Sequence, residues 1–334
     1  MRDNFIDILR FIGLSMIILA HSNPPEVLFQ LRNFDVPLMV LVSGMAFSLS
    51  YKGNQSYFSF VWKRIKRLVF PVWIFLTILF AAAFLIKYNK ILDLKTIITS
   101  YALISGIGYV WVIRVFLIVS LLAPILGVFN TKIRSNLIFI IALMFVQVIF
   151  DVLFSSLKIL NSSIFHLLSI TILDVLPFSL VFLFGMRMST FNHREQSRLA
   201  ILFGLIFIGY ATFFYTTEHV FVSTQDYKYP PASYYLDYAL FVSMLLCLFK
   251  EQVIKIFHLI SGVVHHISMN SIWTYLWHIP LVFALHINWL AKFIVVYVVA
   301  ASISWAQVQF VKYLSSKEYI NDKSKKLINN LFTG

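Results

Sequence analysis

Cysteine is nearly missing from this chain: its 334 residues include one, Cys247, so neither an intramolecular disulfide nor a paired-cysteine metal site can form. Charge is also scarce. Asp, Glu, Lys and Arg make up 12% of the residues while apolar ones make up 60%, which excludes a soluble domain of ordinary usage. There is no Gly-rich phosphate loop ending in Lys-Ser/Thr and no Gly-x-Ser-x-Gly elbow, so P-loop chemistry and a serine-hydrolase nucleophile have no support. His265 and His266 are adjacent, point different ways on a helix and make a poor metal pair; no metal is expected.

What is present is a succession of long apolar stretches. They run for about 17–25 residues between short polar loops, the length an α-helix needs to cross a hydrocarbon core. A transmembrane barrel would show short alternating segments instead. Ten spans are expected, at 5–21, 35–51, 68–87, 111–129, 137–156, 169–186, 199–215, 233–249, 271–288 and 293–311. The fold class is therefore all-α and membrane-integral, a polytopic bundle. The first stretch lacks a basic leader and a small-residue cleavage site and is expected to be a retained helix.

The net charge of +13 reports topology before it reports a nucleic-acid partner, and no nucleic acid is expected. Loops on the side of the N-terminus hold eighteen Lys and Arg residues and the opposite loops seven, with Arg10 and Arg114 inside spans. Basic residues concentrate in cytoplasmic loops, so both termini are expected to be cytoplasmic. Residues 1–312 then form one transmembrane domain and 313–334 a cytoplasmic tail.

Ionisable groups inside spans are costly and mark cavities, relays or substrate sites. Arg10 and His21 lie eleven residues apart in the first span, hence on one helix face and roughly 16 Å apart. The segment after Pro24-Pro25 must return Asp35 to about the depth of His21, so an imidazole and a carboxylate are expected side by side. A carboxylate there would hold the tautomer and the protonated form that a general base needs. The structural alternatives are an Arg10–Asp7 ion pair, His21 as an interfacial polar cap and Asp35 as a helix N-cap. Arg114, Asp151, Asp174 and Asp237 fall in the same outer half of the spans, and His278 lies midway along the ninth. Together they describe a polar lining suited to a hydroxyl-rich ligand, with Arg114, Asp174 and His278 as candidate contacts. Pairing of Arg114 with an aspartate and helix packing by His278 are the alternatives. On the inner side, Arg64 and Arg67 of Lys63-Arg64-Ile65-Lys66-Arg67 share a face on which two guanidinium groups can grip nucleotide phosphates. Anchoring at lipid headgroups is the simpler explanation of that run.

Ile6-Asp7-Ile8-Leu9-Arg10 followed by His21 resembles the Arg-x10-His signature of the acyltransferase-3 family of integral-membrane acyltransferases. Arg64-Ile65-Lys66-Arg67 resembles that family's Arg-x-x-Arg motif. The run from Phe34-Asp35 to Ser43-Gly44 is similar to its acidic residue followed by an apolar stretch, with Val36-Pro37 as a departure. Tyr275 to Pro280 is similar to a late family helix carrying His and Pro. The resemblance covers essentially the whole chain. It implies a ten-helix core in the bacterial inner membrane, an acyl-coenzyme A donor (most often acetyl-CoA) and hydroxyl acceptors on envelope glycans or lipid-linked oligosaccharides. It makes His21 the catalytic histidine, Arg10 its motif partner, and Arg64 and Arg67 the donor-binding pair. A transporter or flippase for a lipid-linked glycan is the chief rival, since it too needs charges lining a bundle; no inverted repeat supports it.

Overall fold

The computed structural model describes residues 3–51, 56–158, 172–317 and 321–333. Among them are fifteen α-helices and no strand. The helices are α1 (Asn4–His21), α2 (Glu26–Leu31), α3 (Asp35–Ser50), α4 (Tyr57–Leu85), α5 (Leu94–Tyr101), α6 (Trp111–Lys132), α7 (Asn136–Lys158) and α8 (Val175–Arg187). They continue with α9 (His193–Glu218), α10 (Ser233–Leu248), α11 (Lys250–Phe257), α12 (Ser261–Met269), α13 (Ser271–Ala284), α14 (Trp289–Ser315) and α15 (Asp322–Phe332). Each expected span meets a helix, although residues 169–171 of the sixth lie outside the described ones.

Seven segments among the described residues are long and apolar enough to cross a membrane. α8, α10 and α13 have 13, 16 and 14 residues, fewer than the roughly 20 that a full crossing takes. The chain is a multi-pass membrane protein. α4, at 29 residues, is longer than its apolar stretch because the basic run Lys63–Arg67 is helical too; Pro71, one turn later, offers no N–H to the Arg67 carbonyl.

The described residues form two compact units. The first comprises Met1–Ile17, Pro25–Gly53 and Leu122–Leu259. Its centre is the contact of α3 with α8, where small residues let two backbones meet. A Cβ on Gly44 would overlap the Phe182 carbonyl oxygen, and one on Gly185 would overlap the Leu41 carbonyl oxygen. Close approach of this kind lets van der Waals contact replace the hydrophobic drive that lipid cannot supply. α9 begins with a capping box, Asn192 accepting from the Glu195 amide and Glu195 from the Asn192 amide, and packs along α10 through Phe207 stacked on Tyr234.

The second unit comprises Ile18–Pro24, Asn54–Leu121 and Ile260–Gly334. α13 and α14 are neighbours, joined by the Trp277 indole donating to Gln307 Oε1 at 2.8 Å. α15 docks on them: Trp273 donates to the Leu331 carbonyl and stacks on Phe332, while Gln307 donates to the Phe332 carbonyl. Of residues 313–334, those to Ser315 end α14 and Asp322–Phe332 form this packed helix.

The glycines of the Ser-Gly pairs at 43–44, 105–106 and 261–262 meet different surroundings. Gly44 permits helix contact, Gly106 turns with φ +49° against Ser100, and Gly262 has nothing within 4 Å of an added Cβ. Gly185→Leu should destabilise the chain by about 1–3 kcal/mol or more, since overpacking meets backbone that cannot yield. Gly262→Ala should not. Equal thermal midpoints for the two variants in detergent would refute the backbone contact.

Candidate active site

α1 ends at His21 because Pro24 and Pro25 follow and cannot continue a helix, and Ser22 closes the last turn by donating to the Ile18 carbonyl at 2.9 Å. The half-buried His21 ring lies almost parallel to that of His278, with centroids 5.0 Å apart and planes 11° apart. His21 Nδ1 is 2.8 Å from His278 Nε2. His278 is fully buried on α13, and its Nδ1 bonds the carbonyl of Tyr275, one turn earlier.

That carbonyl decides the protons. A carbonyl only accepts, so His278 Nδ1 carries hydrogen and, in the neutral ring, Nε2 carries a lone pair. His21 Nδ1 must then donate to it, which places the lone pair of the neutral His21 ring on Nε2. One proton order runs from Tyr275 through His278 to His21.

Tyr109 closes another side. Its ring stands edge-on to His21 at 4.7 Å, to His278 at 6.0 Å and to Phe283 at 5.4 Å. Its carbonyl accepts the Tyr275 hydroxyl at 2.6 Å. Burial pushes the Tyr109 hydroxyl above the ordinary tyrosine range, so it keeps its proton at neutral pH. The turn that carries Tyr109 is held by Arg114, whose Nη1 donates to the carbonyls of Ile104 at 2.8 Å and Leu103 at 3.4 Å. It is held again by Ser100, whose hydroxyl accepts from the Ile107 amide. Two backbone carbonyls thus engage the Arg114 side chain.

In the same unit Arg64 and Arg67 lie three apart on α4. Arg64 is half-buried with its guanidinium 5.0 Å from the Phe60 ring, and Arg67 is exposed.

The remaining predicted residues belong to the first unit. Arg10 pairs with Asp7 at 3.6 Å. Asp35 is buried and takes Arg32 Nη1 at 2.8 Å and Lys228 Nζ at 3.3 Å, with a further bond from the Val36 amide at 2.7 Å. Asp35 thus holds two cations within the first unit, and His21 Nδ1 meets a second imidazole within the other. Burial pushes the Lys228 ammonium below the usual lysine range, Asp35 opposing the shift and Arg32 adding to it. Asp151 accepts from the Ser233 amide at the start of α10 and from Gln147; Asp237 is buried on α10; Asp174, just before α8, is partly exposed.

The family model described as an acyltransferase domain matches residues 3–307, nearly the whole chain. The chain belongs to the acyltransferase-3 family. No curated protein and no solved structure matches it. Among the described residues of this acyltransferase-3 protein no group of three or more His, Cys, Asp or Glu could hold a metal ion.

Sequence reasoning missed Tyr109, the acceptor role of Tyr275 and the Asp35 partners Arg32 and Lys228. Tyr275 had a signal, three residues before His278 in one helix, the distance at which a side chain reaches back to a carbonyl. Lys228 had a weaker one, as the only basic residue of the Thr216–Ala232 segment other than His219. Asp35→Ala leaves two buried cations without their anion and should cost roughly 3–5 kcal/mol. Unfolding of the purified protein measures it, and a loss below about 1 kcal/mol would show that the cluster is not a buried ion-pair network.

Proposed function

We propose that this acyltransferase-3 protein moves an acyl group, acetyl by preference, from acyl-coenzyme A to a hydroxyl of a cell-envelope glycan, with His21 as general base. The observation that carries this reading is the chain of hydrogen bonds from Tyr275 through His278 to His21. It leaves His21 Nε2 a lone pair and gives the imidazolium formed after proton uptake a ready acceptor for its Nδ1–H.

In the reaction, His21 Nε2 takes the proton of the acceptor hydroxyl as its oxygen attacks the thioester carbonyl. The new C–O ester bond forms, the C–S bond breaks, and the imidazolium returns the proton to the departing thiolate. His278 fills the orienting role that a carboxylate has in many such sites, so Asp35 is not required for it. Arg114, held by the Leu103 and Ile104 carbonyls, supports the Tyr109 turn in this mechanism. An acyl-histidine intermediate would use the same lone pair of His21.

The excess of Lys and Arg in loops on the side of the N-terminus supports cytoplasmic termini in a bacterial inner membrane. It also supports a cytoplasmic position for Arg64 and Arg67, where coenzyme A is found. Two guanidinium groups on one helix face suit its phosphates, and a half-buried Arg64 would keep its orientation better than a surface lysine.

His21→Ala should lower acyl transfer to the host's surface glycan by about 10²–10⁴-fold, the usual range for a general base, with glycan export intact. Mass spectrometry of the glycan reads this. Unchanged acylation would remove His21 from the chemistry, and lost export would favour a transporter or flippase. His278→Phe should lower kcat more than it raises the KM for either substrate and should alter the pH–rate profile; an unaltered profile would reduce His278 to packing. Arg64→Ala with Arg67→Ala should raise the dissociation constant for acetyl-CoA at least tenfold, and an unchanged constant would make the pair a membrane anchor.

A further inference from the structure

The mechanism leaves one cavity of the first unit without a use. It measures about 630 Å³, within the range of pockets that hold small molecules, and lies between the ends of α7 and α9, the start of α8 and the segment entering α10. Phe214, Tyr227 and Tyr229 supply aromatic surface to it, and Asp174, Glu218 and Asp226 supply carboxylates. Among the described residues lining it there is no lysine or arginine.

The wall formed by residues 222–229 is anchored. Lys228, between the two tyrosines, turns inward to Asp35 and Asn33, so the anchor of the segment is buried while Tyr229 is 52% exposed. Thr224 accepts from Asn33 at 2.8 Å, and the Val222 carbonyl accepts the Tyr234 hydroxyl at 2.9 Å. Tyr227 packs against Phe214 at 4.9 Å and edge-on to Tyr234 at 5.4 Å. A site built this way loses little freedom when it binds.

We infer that this cavity is a saccharide-binding site for uncharged sugar residues. Aromatic faces take the apolar C–H faces of pyranose rings, and carboxylates accept hydroxyl hydrogens in charge-assisted bonds. Three carboxylates, with no lysine or arginine among the described lining residues, repel phosphate and acidic sugars. The three come from three different elements and do not converge as a metal-binding group, which fits several hydroxyls directed apart better than one cationic centre. The choice of a sugar as ligand rests on the glycan acceptor proposed above.

Binding can be measured without turnover. The full chain in detergent is titrated calorimetrically with maltotetraose, chitotetraose, tetragalacturonate and spermine. At least one of the two neutral oligosaccharides should bind, Tyr229→Ala should weaken it about tenfold, the worth of one aromatic contact, and Asp226→Asn by a similar factor. Both positions are exposed, and an unchanged thermal midpoint verifies that the variants fold. Absence of binding by both neutral sugars, equal binding by wild type and both variants, or binding of tetragalacturonate or spermine alone would overturn the inference. His21→Ala should bind the sugar as wild type does. Unchanged binding in Tyr229→Ala with acylation still dependent on His21 would sink the cavity alone, whereas weakened binding in Tyr229→Ala with acylation independent of His21 would sink the catalytic reading alone.

Discussion

A polar group placed in an apolar helix has no water to turn to, so it is held by whatever acceptor or donor the protein brings to it. Three buried groups of this chain answer that demand. His278 is met by the carbonyl one turn back, Asp35 by Arg32 and Lys228, and Arg114 by two carbonyls of the turn before α6. In each case the partner, rather than the charge itself, decides what the residue can do.

The consequence is sharpest for the two histidines. Paired imidazoles are ambiguous in isolation, since either nitrogen of either ring can carry the hydrogen. Contact with a carbonyl at one end removes the ambiguity for the first ring and, through the shared bond, for the second. The same carbonyl belongs to Tyr275, whose hydroxyl holds the Tyr109 backbone, so one residue orders both the protons and the aromatic wall of the site. The first unit has a parallel in Lys228, whose inward turn fixes a segment while the flanking tyrosines line a cavity.

Helix positions were legible because hydrophobic length is a local property: a run of apolar residues is its own signal, and each expected stretch meets a helix. The shortness of α8, α10 and α13 was less legible, since apolar composition continues past the point where the backbone turns. His21 could be singled out by its spacing from Arg10 and its place at a helix end. Its neighbour could not. Asp35 was the carboxylate at the start of the next expected span, whereas His278 is 257 residues away, and no periodicity ties the two.

What the sequence determined by itself is the solvent and the class: an all-helical chain for lipid, carrying the motifs of a membrane acyltransferase. The solvent follows from composition and the length of the apolar runs, and the class from the resemblance of the motifs to a known family. Tertiary structure alone decided which partner each buried ion received and which nitrogen of His21 keeps its lone pair. Those depend on contacts between helices far apart in the chain, where a hydrogen bond of under 3 Å selects among candidates that sequence order leaves equal.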